Sequence, residues 1–323
     1  MAETRAPDST RARDDAGVDT STTPTATDAT QQRRYNEFGG GARTQWQVVR
    51  GRFLRHRAAM VSLALLALLV LAVIVVPFFY PWDYADTSGG SFESPSGEHV
   101  LGTDQIGRDL GAITLRGTQY SLLIALIVAV MATVIGVTLG ALAGYLKGAT
   151  DTLISRLIDL FLIIPLIAVA AVAVKAVSGS WYTVAIILGL FTWMQVARIN
   201  RAETLSISEK EYIEAARALG AGTGRIVFRH ILPNLTGTIA VNATLAVATA
   251  VLVEAALSFI GLGVQPPDTS LGRIILENYS QLSGRPWLFW PPFLLLVLIC
   301  LCINFIGDGL RDAFDPRQTK VRA

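Results

Sequence analysis

Six apolar runs, at residues 58–80, 120–146, 157–177, 182–200, 236–257 and 288–306, constrain this chain most. Each comes near the roughly 20 residues a helix needs to cross a hydrocarbon layer. Inside lipid every backbone N–H and C=O must find its partner within the protein, so open segments that cross it are helical. The expected class is therefore an all-α membrane protein with six transmembrane helices. Composition agrees: 16% of residues are charged and mean hydropathy is +0.47, against about 25% charged in a soluble globular domain. Gln195 and Asn200 dilute the inner half of the fourth run, and Pro165 is placed to kink the third.

The ends are different in kind. Residues 1–43 are rich in Thr, Ala, Asp and Arg, with no aromatic before Tyr35. Such a segment buries too little apolar surface to offset its ordering entropy and reads as a disordered tail. At 44–57, Trp46, Val49 and Phe53 recur at helical spacing among Arg50, Arg52, Arg55 and Arg57, as in a helix lying at an anionic lipid surface. The membrane-spanning body then runs 58–310, with loops at 81–119 and 201–235, and a tail at 311–323. No signal peptide is visible, because the first apolar run follows more than fifty polar residues. Cys300 and Cys302 point to nearly opposite sides of a helix and read as inert packing residues.

Cations set the expected orientation. Arg50 to Arg57, Lys147, Arg156, Arg198, Arg201, Lys210, Arg217, Arg225, Arg229, Arg311, Arg317, Lys320 and Arg322 all fall on one side if six spans alternate. The stretch 82–119 carries six acids against Arg108 and Arg116. By the positive-inside rule both termini and the loop around Glu214 face the cytoplasm of a multi-pass plasma-membrane protein. In the second run Gly136, Gly140, Gly144 and Gly148 recur every fourth residue after Ala125, Ala129 and Ala132. Small residues at that spacing admit another helix closely, within the protein or from a partner; a hinge is the other reading.

The loop between the fourth and fifth runs is long, polar and basic. Ser208 and Glu211 have capping-box spacing, Ala215, Ala216 and Ala218 favour helix, and Gly220 and Gly222 end it. A second helix over 223–231 is expected to stop at Pro233. This predicts helix, sharp turn, helix, with Tyr212, Ala216, Leu219 and Phe228 free to fill a groove on a partner.

Glu214-Ala215-Ala216, three residues, Gly220, then Leu232-Pro233 resembles the EAA loop of binding-protein-dependent ABC importer permeases; His230 stands where the general pattern has Ile. FRHILPN at 228–234, LGTDQIGRD at 101–109, ALSFIGLGVQPP at 256–267 and INFIGDGLRDAFDPR at 303–317 are similar to the dipeptide and oligopeptide (peptide/nickel) branch, specifically its second membrane subunit. The matches reach from about residue 46 to 317. Gly111-Ala112-Ile113-Thr114 departs from the more regular amphipathic segment of that branch. The resemblance implies a type I importer permease, a second homologous permease subunit, two cytoplasmic ATPase subunits and an external solute-binding protein that delivers short peptides, or alternatively nickel or another small solute. It also implies coupling through Glu211, Tyr212, Glu214, Ala215, Ala216, Arg217, Leu219, Gly220, Phe228, His230, Leu232 and Pro233. Glu214 would position the loop, and Arg217, Arg225 and Arg229 would meet acidic groups or lipid.

A second Glu-Ala-Ala, at 254–256, lacks the following glycine and ends an apolar run. An acid there costs about 2.5–3.5 kcal/mol at mid-helix, so Glu254 must face protein or water. A structural hydrogen-bonding role outweighs a substrate contact for it. Gln195, Asn242, Glu254 and Asn304 are the polar candidates for a substrate pathway, each equally able to bond a neighbouring helix. No phosphate-binding G-x-x-x-x-G-K-[ST] loop occurs, and His56, His99 and His230 lie far apart. With no nucleophile–base arrangement either, the chain reads as a non-enzyme with no cofactor, no metal and no nucleic-acid partner. ATP hydrolysis is expected on separate subunits. A stand-alone secondary transporter or channel would need a proton relay or broken-helix repeats, and neither is visible in the sequence.

Overall fold

A computed structural model describes residues 45–177 and 179–315, and within them the regular elements are helices. The expected tail at 1–43 and residues 316–323 lie outside that range. From Val48 onward the described residues pack as one unit; Gln45, Trp46 and Gln47 belong to a separate N-terminal unit.

Helix α1 (Gln45–Phe53) carries the expected Trp46 and arginines and ends before the arginine run does. His56 then caps α2 (Arg57–Val75), its Nδ1 accepting the Ala59 N–H at 3.1 Å. α3 (Leu110–Leu146) is 37 residues long, about 55 Å at 1.5 Å per residue. It starts ten residues before the expected second span. Asp109 caps it, accepting the Ala112 N–H at 2.8 Å. Gly111, Ala112, Ile113 and Thr114 are buried in its first turns, because Leu110 and Ile113 pack against Ile274 and Leu288.

The third span is the main departure. Residues 148–176 form α4 (Gly148–Ile163) and α5 (Leu166–Ala176), bent by 86° at the Ile164-Pro165 break. Proline removes an N–H and its ring clashes with the preceding turn, so the break falls where it must. Five helices are long and apolar enough to cross a membrane, or six if this bent pair is one span.

α6 (Trp181–Ser208) runs eight residues beyond the expected fourth span. It makes the most extensive interhelical packing of the fold, against α3. The cause is the glycine stripe. A Cβ on Gly136 would stand 2.7 Å from the Trp193 carbonyl oxygen, one on Gly140 2.5 Å from that of Ala197, and one on Gly144 2.7 Å from that of Arg201. The stripe therefore serves packing within the chain. Gly148 does not belong to it: with φ +58° it sits at the turn into α4 with open space around it.

Two short helices follow, α7 (Glu211–Ala218) and α8 (Thr223–Ile226). α9 (Thr236–Phe259), α10 (Leu271–Asn278) and α11 (Trp290–Phe314) complete the chain. α10 was not foreseen, and α11 continues to Phe314, past the expected start of a tail at 311. The main core joins Ile124 and Val128 of α3, Val184 and Leu188 of α6, Val251 and Leu257 of α9, and Ile299 and Ile303 of α11. Cys300 and Cys302 are buried free thiols.

Candidate functional site

The expected capping box does not form. Ser208 stays in α6, buried, with its Oγ donating to the Leu205 carbonyl at 2.8 Å. Lys210, in extended backbone, is the residue that precedes α7. Asn200, Thr204 and Ser208 recur at i, i+4, i+8 and are all buried, so packing of this face against α3 carries α6 onward and overrides the local cap signal.

α7 ends as the glycine predicts. Gly220 has φ +80°; its N–H donates to the Arg217 carbonyl and the Ala221 N–H donates to that of Ala216, each at 3.0 Å. These two bonds with a left-handed glycine form a Schellman turn. Past it, α8 passes into a π-helical turn at Val227–Ile231 and then a tight turn at Leu232–Asn234 that holds Pro233. The second helix therefore winds down through wider and then tighter turns, where a plain stop was expected.

One face of this unit is anchored. Ile213, Ile226, Val227, Ile231 and Leu235 are buried together with Ala141 and Tyr145 of α3 and Ile207 of α6. The Arg217 guanidinium lies 5.5 Å from the Tyr145 ring centroid. The other face is open: Leu219 is 89% exposed, Phe228 71% and Tyr212 46%. Glu211, Glu214, Ala215, Arg217, Gly220 and Pro233 are exposed as well, while Ala216, His230 and Leu232 are half-buried. The fold thus brings the twelve expected loop residues onto one projection. Among the described residues the Glu214 carboxylate has no hydrogen-bond or ion-pair partner, so its polar end is left to solvent or a second molecule.

The four polar pathway candidates are not gathered in one place. Gln195 is exposed in a cavity of about 300 Å³ at the Pro165 elbow. Asn242 lines a separate cavity with Glu203 and Arg311, and its Nδ2 has no partner among the described residues. Asn304 donates to the Cys300 carbonyl one turn back at 2.8 Å. Glu254 is fully buried and bonded: Ser258 Oγ donates to Oε1 at 2.7 Å and Ser121 Oγ to Oε2 at 3.2 Å. Ser270 Oγ donates to Ser258 Oγ at 3.2 Å, extending a chain of hydroxyls that ends on the carboxyl. These bonds tie Glu254 of α9 to Ser121 of α3. The i, i+4 spacing of Glu254 and Ser258 was available in the sequence as a signal; Ser121, 133 residues away, was not.

At the end of the bundle opposite α7 lies a second polar network. Asp104 Oδ1 accepts the Ile106 and Arg108 N–H groups at 2.9 Å, and its Oδ2 accepts from Arg108 Nε at 2.7 Å. Arg108 reaches Glu277 of α10 at 3.2 Å, and Arg273 holds the other Glu277 oxygen at 2.7 Å. Asp109 receives the Tyr80 hydroxyl and the buried His99 Nδ1, each at 2.9 Å. Burial, then the hydrogen bond to Asp109, holds the Tyr80 phenol above its ordinary pKa. LGTDQIGRD is thus a folded, internally satisfied loop clamped onto α10. Among the described residues no group of three or more His, Cys, Asp or Glu side chains is placed to hold a metal.

Residues 136–320 match the family described as binding-protein-dependent transport system inner membrane component, and residues 44–95 match the N-terminal TM domain of oligopeptide transport permease C. The oligopeptide transport system permease protein OppC of Mycobacterium tuberculosis (H37Rv) is 43% identical over 275 residues, 84% of this chain and 94% of that one. The proteins of the same name from Escherichia coli K12 and Haemophilus influenzae Rd are 41% and 38% identical, covering 85% and 88% of this chain and 92% and 93% of theirs. Among solved structures, a chain from inward-facing conformations of the MetNI methionine ABC transporter aligns with TM-score 0.51 and 23% identity, over 63% of this chain and 96% of that one. That likeness concerns the fold. The chain is a multi-pass membrane protein and belongs to the family of binding-protein-dependent transport system inner membrane components.

Proposed function

We propose that this chain is one of two homologous permease subunits of an ATP-driven importer, forming the path for short peptides handed over by an external solute-binding protein. Two separate cytoplasmic ATPase subunits grip the projection 211–233, and both chain termini lie on that same side. The observation that carries the reading is the pairing of Leu219, 89% exposed, with Phe228, 71% exposed, on either side of a Gly220 turn whose inner face is packed into α3 and α6. Large apolar side chains held out on a fixed support are the anchors a partner's pocket takes up. The names of the relatives support peptide cargo.

In this reading closure of the ATPases moves the projection as a rigid handle, and α3 and α6 follow it, so the bundle alternates between two arrangements. Residues 44–57 lie along the lipid surface, 81–109 form an ordered cap on the external side, and 58–310 make up the permease body. Gly220→Asp in the assembled transporter is the direct test. At φ +80° an L side chain is strained, so uptake and transport-coupled ATP hydrolysis collapse while the chain remains in the membrane. Normal uptake, or absence of any stoichiometric ATPase on purification, overturns the reading. Binding measurements on the cognate external protein settle the cargo.

A further inference from the structure

Where α2 ends, the chain turns through Val76–Phe78 and leaves Phe78 and Phe79 82% and 83% exposed. Beside them opens a cavity of about 300 Å³ lined by Tyr80, Trp82, Asp83, Tyr84, Arg116 and Gln119, among others. Its depth is set by Gln119, whose amide donates to the Val73 carbonyl in the last turn of α2 at 2.7 Å. Apolar residues give way here to Tyr80, Trp82 and Tyr84, the change in composition that marks the level of lipid headgroups.

Arg116 is the unusual member. Its Nη1 donates to Gln119 Oε1 at 2.8 Å and its Nη2 to the Tyr120 hydroxyl at 2.6 Å, and the guanidinium lies 4.3 Å from the Tyr120 ring and 5.1 Å from that of Tyr84. All of these partners are neutral. Among the described residues no carboxylate comes within ion-pair distance, and Nε has no acceptor. A half-buried cation at the edge of hydrocarbon calls for a counter-charge. Asp83 lines the same cavity; among the described residues its carboxylate accepts only the Ala85 N–H, at 2.8 Å, and pairs with no cation. The cavity therefore offers one positive and one negative group, apart from each other, among aromatic faces.

We propose that this cavity seats the headgroup of a zwitterionic phospholipid, a phosphoethanolamine. The phosphate takes the remaining N–H groups of the two Arg116 Nη atoms, which suit a charge-assisted contact. The ammonium lies toward Asp83 and the ring faces of Trp82 and Tyr84. The acyl chains run down α2 past Phe78 and Phe79. The placement favours lipid over cargo, because α2 is the peripheral helix: Leu68, Leu71 and Ile74 are all more than half exposed along it.

The experiment uses the full chain reconstituted in vesicles of equal phosphatidylethanolamine, phosphatidylcholine and phosphatidylglycerol, extracted in mild detergent and weighed by native mass spectrometry. The expected result is one retained phosphatidylethanolamine per chain, preferred over phosphatidylcholine. Arg116→Gln lowers retention about tenfold, the loss of a charge-assisted hydrogen-bonded contact. Asp83→Asn keeps a bound phospholipid and abolishes the preference for the ethanolamine form. Asp83 is exposed, so this second variant folds even where Arg116→Gln does not. Equal retention of the three lipids by the native chain, an unchanged preference in Asp83→Asn, or displacement of the lipid by millimolar trialanine overturns the proposal.

Discussion

The Ser121 hydroxyl on α3 donates to the Glu254 carboxyl on α9 at 3.2 Å while accepting the Leu271 N–H of α10 at 3.1 Å. One small side chain thus joins three helices. Ser121→Ala strips a donor from Glu254 and an acceptor from Leu271 together, at a cost of about 1–3 kcal/mol. Glu254→Leu, which removes the buried acceptor of both serine hydroxyl protons, costs about 2–4 kcal/mol. Thermal or detergent denaturation of the purified chain checks both, and unchanged midpoints would show that the network is not structural.

Gly140 faces the Ala197 carbonyl at a separation that leaves no room for a methyl group. Backbone cannot step aside as a flexible side chain does. Gly140→Ala therefore costs about 1–3 kcal/mol, despite the better helix propensity of alanine. Gly51→Ala, with nothing within 4 Å, is neutral or slightly stabilising. Denaturation midpoints of the two variants, measured side by side, separate packing from a hinge role.

Arg201 holds Asp151 with both ends of its fork, Nε to Oδ1 and Nη2 to Oδ2. Arg198 reaches Asp159 by a single contact at 2.7 Å, with both side chains about half exposed. A bidentate pair at 30% and 20% exposure keeps more of its attraction than a solvated one. Double-mutant cycles are expected to give about 1–2 kcal/mol of coupling for Arg201–Asp151 and under about 0.5 kcal/mol for Arg198–Asp159. Equal values would remove the distinction.

Leu219→Asp tests the partner-facing role proposed for the projection. At 89% exposure the change leaves stability within about 0.5 kcal/mol. Transport by the assembled complex falls about tenfold or more, as when an interface anchor is lost. Parallel uptake and melting measurements decide the matter, and intact uptake would overturn the contact proposed at Leu219.

Hydropathy located the spans because lipid filters backbone so severely, and Pro165 and Gly220 acted where their own covalent geometry requires. Other boundaries depended on neighbours. Residues 110–119 contain Thr114, Arg116 and Gln119, which hide a helix from a hydropathy reading, yet the contacts of Leu110 and Ile113 with Ile274 extend α3 through them. Ser208 looked like a cap and became a helical residue because its buried face continues that of Asn200 and Thr204. α10 is only eight residues long and its anchor, Glu277, finds Arg108 from 169 positions away. The loop face was legible since glycine and exposed apolar residues advertise it locally. The partners of Glu254 were not, since three-dimensional closure supplies them.

The 37 residues of α3 exceed the thickness of a bilayer core by nearly a factor of two. Its first turn is built into the LGTDQIGRD cap and its last into the base of the projection, through Ala141 and Tyr145. A single uninterrupted shaft therefore joins the two faces of the molecule. The cap at one end and the base of the projection at the other are therefore carried on the same run of backbone hydrogen bonds, with no loop between them.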